Sequence, residues 1–139
     1  MATNMKKILV PLDGSKNSTR GLKFALNLAR QSEMSVIGLN VFSLPFFLKN
    51  TELIENKKKK SEQIIQKAAL LCQKESVPFK GEIKFSENIG KTIVSFSENN
   101  KVDLIVIGSR GPDPEIELFL GSVANYVLNK SNIPVTVIK

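Results

Sequence analysis

The sequence predicts an α/β protein built on an open, doubly wound sheet of parallel strands. Three observations predict it. Short apolar runs alternate five times with segments of helical spacing, the pattern of parallel strands joined by right-handed helical crossovers. The chain has 139 residues, the length of a single domain over residues 1–139 that buries roughly two-thirds of its unfolded surface. Hydrophobic residues are 42% and charged residues 24%, near globular averages, so neither a disordered nor a fibrous chain fits.

Each element follows from its residues. Residues 8–12 form an apolar run closed by Asp13-Gly14-Ser15, a buried strand entering a turn. Leu22, Ala25, Leu26 and Ala29 recur at helical spacing and predict a helix over 18–31. Val36, Ile37, Leu39, Val41 and Phe42 make a second strand. Ile64, Ile65, Ala68, Leu71 and Cys72 share one face of a helix centred on 67–73. Before it, residues 43–60 break periodicity with Pro45, Phe46, Phe47 and four successive lysines, and read as an excursion leading into that helix. Four adjacent lysines wrap around a helix, so Lys57 to Lys60 read as solvated surface, with a patch for an anionic partner as the alternative.

Val77, Phe79, Ile83 and Phe85 alternate with Lys80, Glu82 and Lys84, which predicts a strand with one wet face at a sheet edge. Ile89, Ile93 and Phe96 mark a third helix. Leu104-Ile105-Val106-Ile107 is apolar on both faces and belongs at the sheet centre. Leu118, Val123, Tyr126 and Val127 suggest a fourth helix, and residues 134–138 a last strand with Pro at its start.

Composition narrows the chemistry. Without His, serine and cysteine triads and the common zinc sites are excluded. The single Cys72 has no internal disulfide partner and sits beside Ala69, Leu70 and Leu71, so a buried thiol in a reducing, cytoplasmic setting is expected. Lys6 and Lys7 precede only five apolar residues, too few for a signal peptide, and no run approaches a membrane span. The formal charge is +7, yet only Arg20, Arg30 and Arg110 among the 20 basic residues are Arg, which argues against nucleic-acid recognition.

Open parallel sheets bind ligands at the carboxyl ends of their strands, where strand order reverses. Two segments carry suitable chemistry: Pro11-Leu12-Asp13-Gly14-Ser15 after the first strand, and Gly108-Ser109-Arg110-Gly111 after the fourth, with Gly121-Ser122 opening the next helix. Glycines let backbone N–H groups approach a phosphate, and a helix start adds unpaired donors. A carboxylate such as Asp13 accepts hydrogen bonds from ribose hydroxyls or an adenine amino group. Helix capping by Asp13 and simple chain reversal at Gly108 are the structural alternatives. Gly90-Lys91-Thr92 also precedes a helix, but Phe85 stands where a P-loop needs its first glycine, so that segment is read as a helix start.

These residues resemble the universal stress protein family. Its glycine signature, G-x2-G-x9-G-[ST], is met by Gly108, Gly111, Gly121 and Ser122. The run from Lys7 to Ser15 is similar to the family's first strand and loop, and the run from Asp103 to Gly111 to its fourth. Residues 122–128, with Pro134-Val135, resemble its closing helix and strand. Only residues 43–60 lie outside the likeness. The resemblance implies a Rossmann-like five-stranded sheet of order 3-2-1-4-5, a homodimer paired through the last strand, Val135–Ile138, and one of two subgroups, one that holds ATP and one that does not. It implies Asp13 at the adenosine end, Val41 beside adenine, and Gly108, Gly111, Gly121 and Ser122 at ribose and phosphates, with a backbone N–H from Val123. Pro11, Leu12, Ile107, Ser109 and Arg110 complete the candidate set.

The chain departs from the family's ATP-binding pattern within the spacer, which reads Pro112-Asp113-Pro114-Glu115-Ile116-Glu117-Leu118-Phe119-Leu120. Two prolines remove backbone donors and three carboxylates repel phosphate. Ala124 stands where a hydroxyl residue is frequent. Arg110 and Mg²⁺ offset part of this, and AMP or cyclic AMP compete with ATP as the expected ligand. A regulatory, nucleotide-binding stress protein is the leading reading. A dimeric interaction module with a vestigial pocket is the alternative, and slow ATP hydrolysis or self-phosphorylation the limit of any catalysis. The edge of the last strand has no charged guard before Lys139, which independently favours pairing with a second copy. From residue 103 onward the net charge is −1 and before it +8, which places the basic excess away from the glycine loop.

Overall fold

Unbroken apolar runs make both faces of the central strands greasy, and helices must cover each face. The computed structural model, which describes residues 5–44, 50–110 and 120–139, realises this arrangement. Its elements run β1 (Lys7–Pro11), α1 (Lys16–Ser32), β2 (Ser35–Phe42), α2 (Thr51–Lys74), β3 (Phe79–Phe85), α3 (Ile89–Asn99), β4 (Leu104–Gly108), α4 (Ser122–Lys130) and β5 (Val135–Ile138).

All strand pairs are parallel and the sheet order is β3-β2-β1-β4-β5. The chain builds outward from β1 to β3, then crosses back to lay β4 on the other side of β1. Strand order therefore reverses between β1 and β4. That is the switch point.

The two faces of the sheet form two cores. Ile8, Val10, Leu104 and Val106 pack with Leu22, Ala25, Leu26 and Ala29 of α1 and Ala68 and Cys72 of α2. On the other face, Leu9, Ile37, Ile105 and Ile107 meet Ile93 and Phe96 of α3 and Ala124 and Val127 of α4. Successive residues of β1 and β4 thus serve opposite cores, as the pleat requires. β3 is an edge strand with Lys80 and Lys84 exposed, while Val77 is buried just before it. Phe85 is exposed on one side and meets Phe42 edge to face at a centroid distance of 5.2 Å.

Two boundaries differ from the sequence expectation. α2 begins at Thr51, so residues 51–60 belong to a 24-residue helix, and the excursion before it is correspondingly shorter. Asn50 caps its start, its side-chain oxygen accepting from Leu53 N–H at 2.9 Å. The core-facing stripe carries Ser61 in place of an apolar side chain, so its periodicity fades toward the N-terminus. α4 starts at Ser122, and Leu118 lies outside the described residues, as do Pro45, Phe46 and Phe47.

Candidate functional site

The carboxyl end of β1 is tied down by its neighbours. Leu12 N–H donates to Leu39 O at 2.8 Å, and Leu12 O accepts from Asn40 Nδ2 at 2.7 Å. The chain then turns at Gly14, whose φ of 86° suits a residue without Cβ. Asp13 is exposed at the lip of this turn. One of its oxygens accepts from Ser15 N–H at 2.8 Å, and the other has no partner among the described residues. Ser15 in turn caps α1, accepting from Ser18 N–H at 3.0 Å. The capping of α1 thus falls to Ser15, which leaves Asp13 a carboxylate oxygen to offer.

The end of β4 is held equally firmly. Ser109 N–H donates to Ile138 O and Ser109 O accepts from Gly121 N–H, each at 2.7 Å. Arg110 N–H donates to Asn17 Oδ1 at 2.7 Å, fastening the loop to the first turn of α1. A Cβ on Gly108 would stand 2.7 Å from that same Asn17 oxygen and 3.1 Å from the Asn17 backbone carbon. Glycine is required here by close approach.

α4 opens on Gly121, which has no side chain to cap it. The first intrahelical bond runs from Asn125 N–H to Gly121 O at 2.8 Å. The N–H groups of Ser122, Val123 and Ala124 consequently have no acceptor within the helix. Such a terminus carries a partial positive charge and favours an anion.

These pieces enclose one cleft of about 410 Å³ at the switch point. The structure brings Pro11, Leu12, Asp13 and Val41 to one side of it and Ile107, Gly108, Ser109 and Arg110 to another. Gly121, Ser122 and Val123 close the α4 end. Gly111 and the spacer residues 112–119 lie outside the described residues. Leu39, Ile89 and Ile93 supply an apolar wall.

Two groups of lining residues escape sequence reasoning. The first is Asn40, 4% exposed, whose Oδ1 is a buried acceptor without a partner among the described residues. A lone polar residue in the apolar β2 run was the available signal. The second is the α2 wall of Lys57, Lys60, Ser61 and Ile64. Nothing in a run of four lysines distinguishes the two that face a cleft. An apolar wall for a base, a carboxylate for hydroxyls and a helix start for phosphate fit a nucleotide by chemistry.

An open parallel sheet with a glycine-lined cleft at its switch point places the chain among the Rossmann-like α/β proteins. Within that class it belongs to the Universal stress protein family, whose model matches residues 4–139. Universal stress protein MJ0531 of Methanocaldococcus jannaschii is 32% identical, covering 96% of this chain and 82% of its own length. Universal stress protein MJ0577 of the same organism is 33% identical over 100% of this chain and 98% of its own. The solved structure of MJ0577 superposes with a TM-score of 0.81 over 99% of this chain and 97% of that one. A universal stress protein from Archaeoglobus fulgidus, solved in complex with dAMP, is 27% identical, with a TM-score of 0.70 and full coverage of both chains.

Proposed function

We propose that this protein binds an adenine nucleotide in the switch-point cleft and acts as a regulatory stress-response protein. One observation carries the reading: the uncapped α4 terminus, the Gly108 loop and the spare Asp13 oxygen converge on a single cleft with an apolar wall. The dAMP complex of the Archaeoglobus relative supports it. In this reading Asp13 accepts from ribose hydroxyls, and Val41, with Pro11 and Leu12, flanks the base. The N–H groups of Ser122 and Val123 donate to phosphate, with Gly108, Ser109, Gly111 and Gly121 allowing close approach. Arg110 adds charge.

ATP with Mg²⁺ is the leading ligand, and AMP and cyclic AMP are the competitors. Among the described residues no group of three or more His, Cys, Asp or Glu could hold a metal, so Mg²⁺ would arrive bound mainly to phosphate oxygens. Differential affinity of two protein states for the nucleotide would then bias a dimer built on β5 or a partner surface. Among the described residues no helix is long and apolar enough to cross a membrane. The buried, unpaired Cys72 supports a reducing cytoplasmic setting.

Calorimetry with ATP, ADP, AMP and cyclic AMP, each with and without Mg²⁺, tests the site. Saturable heat is expected for at least one nucleotide, with a loss of at least tenfold in affinity in Asp13→Ala and Gly121→Val variants. Silence from all four, with no thermal shift, would instead favour an interaction module whose pocket is vestigial.

A further inference from the structure

The structure assigns Lys57 and Lys60 of α2 as a second phosphate-binding wall of the cleft. The assignment rests on the nucleotide reading above and deepens it, because neither lysine belongs to the glycine signature.

Helix geometry selects these two from the run of four. Residues three, four and seven apart share a face, so Lys57, Lys60, Ser61 and Ile64 form one stripe. All four line the cleft, whereas Lys58 and Lys59 do not. The stripe is also anchored. Ser61 is buried at 2% exposure, and Ile64 lies so close over the β1–α1 turn that a Cβ on Gly14 would stand 3.1 Å from its Cδ1. The ammonium groups are therefore carried on a wall fixed to the loop that holds Asp13. Neither has an ion-pair partner among the described residues.

Charge points the same way. Among the described residues the ionisable side chains lining the cleft are Lys57, Lys60, Arg110 and Asp13, a net charge of +2. The basic excess lies before residue 103 in the chain, and α2 returns residues 57 and 60 of that stretch to the cleft. Two flexible ammonium groups and a backbone-donor helix start give the cleft cationic character on two sides. Such a site rewards phosphate charge and gains nothing from an uncharged nucleoside.

The test measures adenosine, AMP and ATP affinities by calorimetry at low salt, in wild type and two double variants. Lys57→Gln/Lys60→Gln removes the wall, and Lys58→Gln/Lys59→Gln removes equal charge from the remainder of the run. Gln keeps helix propensity, so both should fold. The wall variant should lose about tenfold or more in ATP affinity, adenosine binding should hold, and the control should stay within about twofold. Unchanged ATP affinity in the wall variant, or equal loss in both variants, would overturn the assignment. Pyrophosphate, read by thermal shift, separates the two readings. If no nucleotide binds wild type, the nucleotide reading fails. A pyrophosphate shift lost only in the wall variant then still supports the wall, and no shift in wild type overturns it.

Discussion

Cys72 shows how far burial sets the chemistry of one residue. It is fully buried where α2 packs on the sheet, and desolvation pushes its thiol up from the ordinary 9.0 to about 11. A neutral core thiol cannot act as a thiolate nucleophile, which agrees with a packing role. The linkage has a definite sign. The folded state holds the proton more tightly than the unfolded chain, so this contribution is fully present below pH 9. It is lost as pH rises from about 9 through 11, reaching roughly 3 kcal/mol at the upper end. Urea unfolding from pH 8 to 10.5 should show wild type losing stability faster than Cys72→Ala, whose cavity cost does not depend on pH. Parallel pH curves for the two proteins would refute the assignment. Two further residues set the cleft by packing. Asn17 fastens the Arg110 backbone and is the atom group that forces glycine at 108, while Asn40 ties β2 to the end of β1.

At the scale of elements, α2 decides the shape of the cleft, and its first turns depend on Asn50. Replacing that cap with Ala should cost about 1 kcal/mol. The loss should be local, with faster hydrogen exchange over residues 53–58 and unchanged exchange around Cys72. Uniform acceleration along the helix would contradict a local cap. This same helix marks where the sequence stopped being legible. β1, β4 and the glycine that ends β4 were readable, because buried strands are apolar runs and close approach requires glycine at Gly108. The edge position of β3 was readable from Lys80 and Lys84. The first turns of α2 were not, since a helix lining an open cleft presents Lys57, Lys60 and Ser61 where a core helix would present Leu or Ile. Periodicity reports an oily partner, and a cleft is not one. Asn40 was overlooked for the converse reason. Its strand was identified by apolar neighbours, and one polar residue did not disturb the pattern.

Across the whole molecule, the sheet has two edges of opposite character. β3 carries Lys80, Glu82 and Lys84, charges that discourage pairing with another strand. β5 carries Val135, Thr136, Val137 and Ile138, all half-buried, with no charge before Lys139. The carbonyls of Pro134 and Ile138 accept from Ile105 and Ser109, so alternate residues of β5 serve β4. In a parallel ladder the intervening Val135 and Val137 then direct their N–H and C=O groups to the open edge. A second copy related by a two-fold axis could satisfy them by antiparallel pairing, and only this edge is free of repelling charge. A homodimer through β5 would also couple the cleft to the interface, because Ser109 of the cleft donates to Ile138 O of the same strand. Light scattering at tens of micromolar should give twice the chain mass. Val137→Pro removes one outward N–H while keeping apolar bulk and the β4 bonds, since Thr136 before it is already extended. That variant should remain folded by circular dichroism and scatter as a monomer. A wild-type protein that scatters as a monomer, or a folded Val137→Pro variant that stays dimeric, would remove β5 as the interface.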